Sequence, residues 1–112
     1  MYSRTEPVEP FRCEISRERD TAHIRPWGEL DLDTAALLGA ELDALRAEGF
    51  RRLILDLRAV DFLDSSGLRC ILEYDAEGRQ DGFSLALVQG SPTIQRVFEL
   101  TQTLSRLSFI DP

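Results

Sequence analysis

The first part of the chain contains two short segments whose polarity pattern is typical of β-strands. Residues 11–17 have an apolar side chain at every second position, which is the period of a half-buried strand. Residues 22–27 form the predicted antiparallel partner, with a turn around residues 18–20. Because Pro26 cannot donate a backbone hydrogen bond, it either weakens the prediction of a strand here or makes it an edge strand. The pattern predicts a β-hairpin.

Apolar runs further along the chain predict the central strands. Residues 53–57 and 83–88 are mostly apolar and too short for helices. Such runs are typical of strands that are covered on both faces of a parallel sheet. Residues 107–110 are a candidate for a last short strand.

Apolar residues at helical spacing lie between these strands. The first helix is predicted to run to about Glu48 with Asp33 or Thr34 as its cap. The second is predicted over residues 66–78, and the third follows Ser91-Pro92, a cap with proline at the first helical position. Their predicted buried stripes are Leu37, Leu38, Leu42 and Leu45 in the first helix, Leu68, Ile71 and Leu72 in the second, and Ile94, Val97 and Phe98 in the third.

The predicted order of elements is β-β-α-β-α-β-α-β. Alternation of strands and helices after a hairpin predicts one α/β domain with a mixed, mostly parallel sheet and helices packed on it. In this prediction the domain covers residues 11–112. Residues 1–10 contain two prolines and several charges and are predicted to be a flexible N-terminal lead-in.

Charge and composition exclude several classes of function. The chain of 112 residues has a formal net charge of −7 and contains no lysine. Neither nucleic acid nor an anionic membrane is therefore an expected partner, and neither a Walker-type phosphate loop nor a lysine Schiff base can form. No apolar run approaches the ~20 residues of a membrane span. The start has no secretory signal, so we expect a cytoplasmic protein.

Few side chains are suited to metal or cofactor chemistry. Cys13 and Cys70 lie among apolar neighbours, and both are predicted to be buried free thiols. His23 is the only histidine and lies on a predicted outer strand, where a surface or half-buried side chain is expected. We therefore expect no cofactor, no metal site and no catalytic triad.

Asp31 and Asp33 form a carboxylate pair at a strand-to-helix junction. One hypothesis is an aspartyl-phosphate enzyme, whose nucleophile motif is Asp-x-Asp-x-Thr. Thr34 stands one place too early for that motif, and the lysine that would neutralise the phosphate is missing. A helix cap at Asp33 within a solvated acidic turn is the preferred interpretation.

The strongest local feature is the segment Asp64-Ser65-Ser66-Gly67, between a central strand and a helix. Functional sites of open α/β sheets often lie at the carboxyl ends of the strands. Either Asp64 or Ser65 can cap the helix. A phosphate on a serine at this position is compatible with the fold, because a helix N-terminus favours an anion. It would add about −1.5 to −2 charges and repel a partner that docked there before.

These residues give the sequence a resemblance to the STAS domain family, specifically to the anti-sigma factor antagonists. The resemblance extends over about residues 11–110. Three blocks of sequence carry it, and the middle block, a hydrophobic strand followed by Asp-Ser-Ser-Gly-Leu, is the most specific. Pro26 and Arg69 are less usual in the family. The blocks are Gly28-Glu29-Leu30-Asp31, then Leu53-Ile54-Leu55-Asp56-Leu57 with Phe62-Leu63-Asp64-Ser65-Ser66-Gly67-Leu68, then Ser91-Pro92 before Val97-Phe98.

The resemblance implies a regulatory protein that is not an enzyme. Its unphosphorylated form binds an anti-sigma factor, itself a serine kinase of the histidine-kinase-like ATPase fold, and thereby releases the sigma factor. Phosphorylation by that kinase on the first serine of the motif, Ser65 here, abolishes binding, and a serine phosphatase restores it. The implied partner-binding residues are Asp31, Asp64, Ser66, Gly67 and Arg69.

Two other hypotheses remain at this point. One is a STAS scaffold that is never phosphorylated and serves as a subunit of a transport or stress-signalling assembly. The intact acceptor Ser65 favours the antagonist instead. The other is a small-molecule binder or enzyme, which would need a pocket with convergent catalytic groups.

Overall fold

The structure is a computed structural model that describes residues 10–112, so residues 1–9 of the predicted lead-in lie outside the described residues. The predicted fold class is confirmed, and one short strand is added to the predicted order. In the described residues the elements are β1 (Arg12–Glu18), β2 (Thr21–Leu30), α1 (Leu32–Ala47), β3 (Arg52–Asp56), β4 (Val60–Leu63), α2 (Ser65–Asp81), β5 (Ser84–Val88), α3 (Pro92–Leu100), a 3-10 turn (Leu104–Arg106) and β6 (Phe109–Ile110).

Strand β2 organises the sheet. The strand order is β1-β2-β3-β5-β6, with β4 beside the second half of β2. Only the β1–β2 hairpin is antiparallel among the described strand pairs. Residues 21–24 of β2 pair with β3, and residues 28–30 pair with β4.

Pro26 does not place β2 at the edge of the sheet, so that prediction is wrong. Pro26 lies between the part of β2 that pairs with β3 and the part that pairs with β4. Its missing N–H therefore falls where one partner strand replaces the other. Just beyond it, Gly28 has a φ of +102° and the register shifts between Gly28 and Glu29, which allows the strand to bend toward β4.

The sequence prediction omits β4 because its pattern is not that of a strand. Val60 and Leu63 are buried, whereas the two residues between them are exposed. A period of two is therefore absent, and only the pairing with β2 identifies the segment as a strand.

The core lies between the sheet and the helices. Buried side chains at alternate positions of β2, β3 and β5 meet the buried stripes of α1, α2 and α3. Leu37 is not part of the α1 stripe as predicted: it is 54% exposed, because it lies about 100° around the helix from Leu38. The buried residues of this layer include Ala22, Ile24, Leu53, Leu55, Leu85 and Leu87 in the sheet, and Ala35, Leu38, Leu42, Leu45, Leu68, Ile71, Tyr74, Ile94 and Phe98 in the helices.

Helix α2 continues past Gly78, where the sequence predicts its end. Gly78 is buried, and a Cβ atom there would lie 2.6 Å from the carbonyl oxygen of Phe83. This glycine is therefore required for close packing inside the helix. The helix ends at Asp81, and Gly82 closes it with a φ of +82°, the left-handed conformation common at C-caps. In residues 10–112 no helix is long and apolar enough to cross a membrane.

Candidate functional site

Two helices start side by side at the carboxyl edge of the sheet. In the neighbouring parallel strands β2 and β4, Leu30 pairs with Leu63. The residue after each leucine is an aspartate that caps the next helix, Asp31 for α1 and Asp64 for α2. The N–H of Asp64 donates to the carbonyl oxygen of Leu30 at 3.1 Å, so the two junctions are directly connected.

The cap of α1 is Asp31, and the predicted cap at Asp33 or Thr34 is wrong. The backbone N–H of Thr34 donates to Asp31 Oδ1 at 3.0 Å, and the N–H of Asp31 donates to Thr34 Oγ1 at 2.9 Å. This is a capping box. The hydrogen bond from the Thr34 N–H lowers the pKa of Asp31. Asp33 lies in the exposed first turn of the helix.

The cap of α2 is Asp64, which leaves the hydroxyl of Ser65 outside the capping interaction. Asp64 Oδ1 accepts from the backbone N–H of Ser66 at 2.9 Å and of Gly67 at 3.0 Å. Ser65 is the first helical residue and is exposed, whereas Ser66 is half-buried. The structure thus brings Asp31, Asp64 and both serines to one edge of the sheet.

Gly67 has a packing function in this structure. It is buried, and a Cβ atom there would lie 2.6 Å from the carbonyl oxygen of Leu30 and 2.7 Å from Leu63 Cδ1. Only glycine lets α2 approach β2 this closely. The structure thus gives Gly67 a packing role, and the partner-binding role implied by the resemblance stays a prediction.

Exposed apolar side chains lie close in sequence to the two caps. Leu32, the first residue of α1, is 73% exposed, and Phe62, which pairs with Glu29 on β2, is 48% exposed. Arg69 is exposed one turn further along α2. We refer to this region as the cap surface; it consists of Asp31, Leu32, Phe62, Asp64, Ser65 and Arg69.

Comparison with known proteins agrees with this geometry. Residues 13–111 match the STAS domain family. BtrV of Bordetella bronchiseptica, whose name describes it as an anti-sigma factor antagonist, is 37% identical over 78 residues, which cover 70% of this chain and 67% of BtrV. The chain belongs to the STAS domain family.

Solved structures of SpoIIAA are also similar to this chain. The anti-sigma factor antagonist SpoIIAA in its unphosphorylated form is 26% identical, with a TM-score of 0.73 over 92% of this chain and 88% of SpoIIAA. The phosphorylated form of the Bacillus SpoIIAA is 26% identical, with a TM-score of 0.68 over 92% of this chain and 91% of that protein.

The STAS domain also contains a charged cluster that the pattern of the sequence does not predict. Asp56, at the end of β3, is fully buried. Its Oδ2 lies 2.9 Å from Arg25 Nη2, 2.7 Å from Arg58 Nη2 and 3.2 Å from His23 Nε2. The backbone N–H of Arg58 donates to Oδ1 at 3.1 Å. The sequence feature that could have revealed this cluster is an aspartate in an otherwise apolar strand, with an arginine two residues later.

Hydrogen bonding determines the ionisation of Asp56. Burial alone would raise the pKa of this carboxyl group. The hydrogen bonds from the side chain and backbone of Arg58, together with Arg25, outweigh burial and hold the pKa well below its usual range. Asp56 is therefore ionised at neutral pH and fixes the two arginine side chains.

A cavity of about 650 Å³ extends from this cluster to Asp31. Both arginines of the cluster line it, together with the carboxylates of Glu29, Asp31 and Asp61. None of its described lining residues is histidine, lysine or cysteine. The lining thus offers mixed charge for recognition, and Ser65 is not part of it.

Proposed function

We propose that this STAS domain is an anti-sigma factor antagonist that is regulated by phosphorylation of Ser65. Its unphosphorylated form binds an anti-sigma factor that is also a serine kinase of the histidine-kinase-like ATPase fold, and this binding releases the sigma factor. The observation that carries the proposal is the exposed Ser65 at the first position of α2, directly after the cap Asp64. The name of BtrV and the two forms of SpoIIAA support it.

The arrangement of the helix start explains how a phosphate on Ser65 would act. The N–H groups of Ser66 and Gly67 already donate to Asp64, so they are not available to the phosphate. The added charge of about −1.5 to −2 would stay at the surface, close to the carboxylates of Asp31 and Asp64. The fold tolerates the phosphate, while a partner docked on the cap surface would be repelled.

The apolar part of the cap surface supplies the contact area for binding. Leu32 and Phe62 are 73% and 48% exposed, and apolar side chains buried at an interface contribute most of its affinity. A phosphate beside them opposes binding through its charge and through the water that it retains. Asp31, Asp64, Ser66 and Arg69 complete the proposed partner-binding set.

The remaining features favour a binding protein over an enzyme. The described lining of the cavity that reaches Asp31 contains no histidine, lysine or cysteine, and its one threonine hydroxyl, on Thr34, is engaged with Asp31 in the capping box. A net charge of −7 without any lysine disfavours nucleic acid and anionic membranes. The proposed setting is the cytoplasm, with a serine phosphatase that removes the phosphate.

The test is phosphorylation by candidate anti-sigma factor kinases from the same genome, with the site mapped by mass spectrometry. We expect phosphate on Ser65 in the wild type and in Ser66→Ala, and none in Ser65→Ala. In binding assays we expect Ser65→Ala to bind the anti-sigma factor like the wild type, and Ser65→Asp to bind at least about tenfold more weakly.

Three results would contradict the proposal. Phosphate at a different residue would exclude Ser65 as the switch. Equal affinities of Ser65→Ala and Ser65→Asp would exclude a mechanism based on charge. Recovery of a transporter subunit in a pull-down, with no phosphorylation by any candidate kinase, would favour the unphosphorylated scaffold.

A further inference from the structure

Arg69 lies one helical turn after Ser65 on the exposed side of α2. Residues four apart on a helix are neighbours, with Cβ atoms about 5–6 Å apart. Helical side chains lean toward the N-terminus of the helix. The guanidinium of Arg69 is therefore within reach of a group attached to the Ser65 hydroxyl.

The side chain of Arg69 is not committed to another group in residues 10–112, where it forms no hydrogen bond or ion pair. Two other arginines on the same pair of helices are held by carboxylates: Arg46 contacts Glu77 at 2.7 Å, and Arg79 contacts Asp75 at 2.6 Å. Arg69 thus differs from them in being available for a new anion.

The first turn of α2 offers a phosphate few other partners. The N–H groups of Ser66 and Gly67 donate to Asp64. The acidic groups next to Ser65 are Asp64 itself and Asp31 on the adjoining helix start, and both repel a phosphate. Glu73 lies one turn beyond Arg69, about 12 Å along the helix from Ser65. Arg69 is the cation at the spacing that favours a pair.

We propose that Arg69 is the intramolecular counter-ion of phosphoserine 65. This inference rests on the proposed function in that it takes Ser65 as the acceptor. The planar guanidinium presents two N–H groups to two phosphate oxygens. Phosphorylation then changes the cap surface twice, because it adds the charge of the phosphate and also removes Arg69 as a free donor for an acidic partner.

The test uses the full chain with phosphoserine incorporated at position 65 during translation. The titration midpoint of the phosphate is measured by ³¹P NMR at low salt. We expect it to be lower in the wild type than in Arg69→Gln by about 0.2–0.4 pH unit, the size expected of an exposed pair four residues apart. The difference should shrink in 1 M salt, where the Debye length is about 3 Å.

Two further variants make the result specific. Arg69→Lys keeps the positive charge and should retain most of the shift. Arg52→Gln removes an exposed arginine at the start of β3, at the opposite end of the parallel strands from Ser65, and should leave the midpoint unchanged. Equal midpoints in the wild type and Arg69→Gln, or an equal effect of Arg52→Gln, would overturn the proposal.

Binding to the anti-sigma factor, measured on the same samples, separates this inference from the proposed function. If phosphorylation abolishes binding while the midpoints are equal, the role of Arg69 is overturned and the Ser65 switch stands. If the midpoint shifts as expected while binding is unchanged, the counter-ion is supported and the switch is overturned.

Discussion

Asp31 and Asp64 are equivalent residues at the ends of two neighbouring parallel strands. Each directly follows a buried leucine, and the two leucines, Leu30 and Leu63, are paired in register. Each aspartate then caps a helix through its side chain. The starts of α1 and α2 are thus fixed relative to each other, and the stability of the cap surface depends on both aspartates.

Replacement of Asp64 by alanine should remove the cap of α2. We expect the free energy of unfolding to fall by about 1 kcal/mol, within a range of about 0.5–2, while Asp64→Asn retains most of it. Urea unfolding followed by circular dichroism measures the change. The matched control is Asp61→Ala, since Asp61 is exposed on β4, and its effect should stay within about 0.5 kcal/mol. Equal losses in the two variants would contradict the capping function.

Two glycine-to-alanine substitutions should have opposite effects on stability. At Gly67 a Cβ would lie 2.6 Å from the Leu30 carbonyl oxygen, whereas at Gly39, inside α1, no heavy atom lies within 4 Å. Gly67→Ala should destabilise by about 1–3 kcal/mol through overpacking. Gly39→Ala should stabilise by about 0.5–1 kcal/mol through helix propensity. Thermal unfolding of both variants checks the sign, and a stable Gly67→Ala protein would refute the close contact with β2.

The buried Asp56 should contribute to stability in a defined pH range. Its pKa in the folded state lies below the unfolded value of about 3.9. The unfolded chain therefore takes up the proton first as the pH falls, so this stabilisation is complete above about pH 5 and declines below about pH 4. At pH 7, Asp56→Asn should lower the free energy of unfolding by about 2–3 kcal/mol. The loss is limited because Arg25 and Arg58 are partly exposed and remain hydrated without the carboxylate.

A surface ion pair provides the control for this prediction. Arg17 and Glu48 form an exposed pair at 2.8 Å, and Glu48→Gln should change stability at pH 7 much less than Asp56→Asn does, because solvent screens an exposed pair. Urea midpoints measured from pH 3 to pH 7 should show a weaker pH dependence for Asp56→Asn than for the wild type. Parallel pH profiles would contradict the assignment of Asp56 as a source of acid sensitivity.

Both thiols should react slowly in the folded protein. Cys13 and Cys70 are free and partly buried, and burial raises the pKa of each to about 11, assisted by Glu41 at Cys13 and by Glu73 and Asp43 at Cys70. At pH 8 the thiolate fraction is then about 100-fold lower than at an unperturbed cysteine. Reaction with a chromogenic disulfide should be slowed accordingly relative to the urea-unfolded chain, and rapid labelling at pH 8 would contradict this.

The sequence predicts those strands and helices whose polarity pattern lies within the segment itself. Strands β3 and β5 are mostly apolar runs, and α2 has a helical stripe after the motif that begins at Asp64. The start of α1 is predicted two residues late, although the capping box between Asp31 and Thr34 is present in the sequence. Asp33 and Asp31 are equally plausible caps until the end of β2 at Leu30 is known.

The features that the sequence does not predict depend on contacts between distant segments. The Asp56 cluster joins Arg25 to a residue 31 positions away, through the parallel register of β2 with β3. The same holds for β4, whose identity as a strand comes from pairing with β2. The requirement for glycine at position 67 cannot be predicted from the sequence either, because it arises from the close approach of Leu30 on strand β2.

The position of β2 has a consequence for the order in which the chain folds. Within the described residues β2 pairs with β1, β3 and β4. The hairpin with β1 closes over a short loop and is therefore formed at a small loss of chain entropy, whereas the parallel pairings require much longer loops. We expect the hairpin to form early and to serve as the template on which β3 and β4 assemble, so that weakening it slows folding more than it accelerates unfolding.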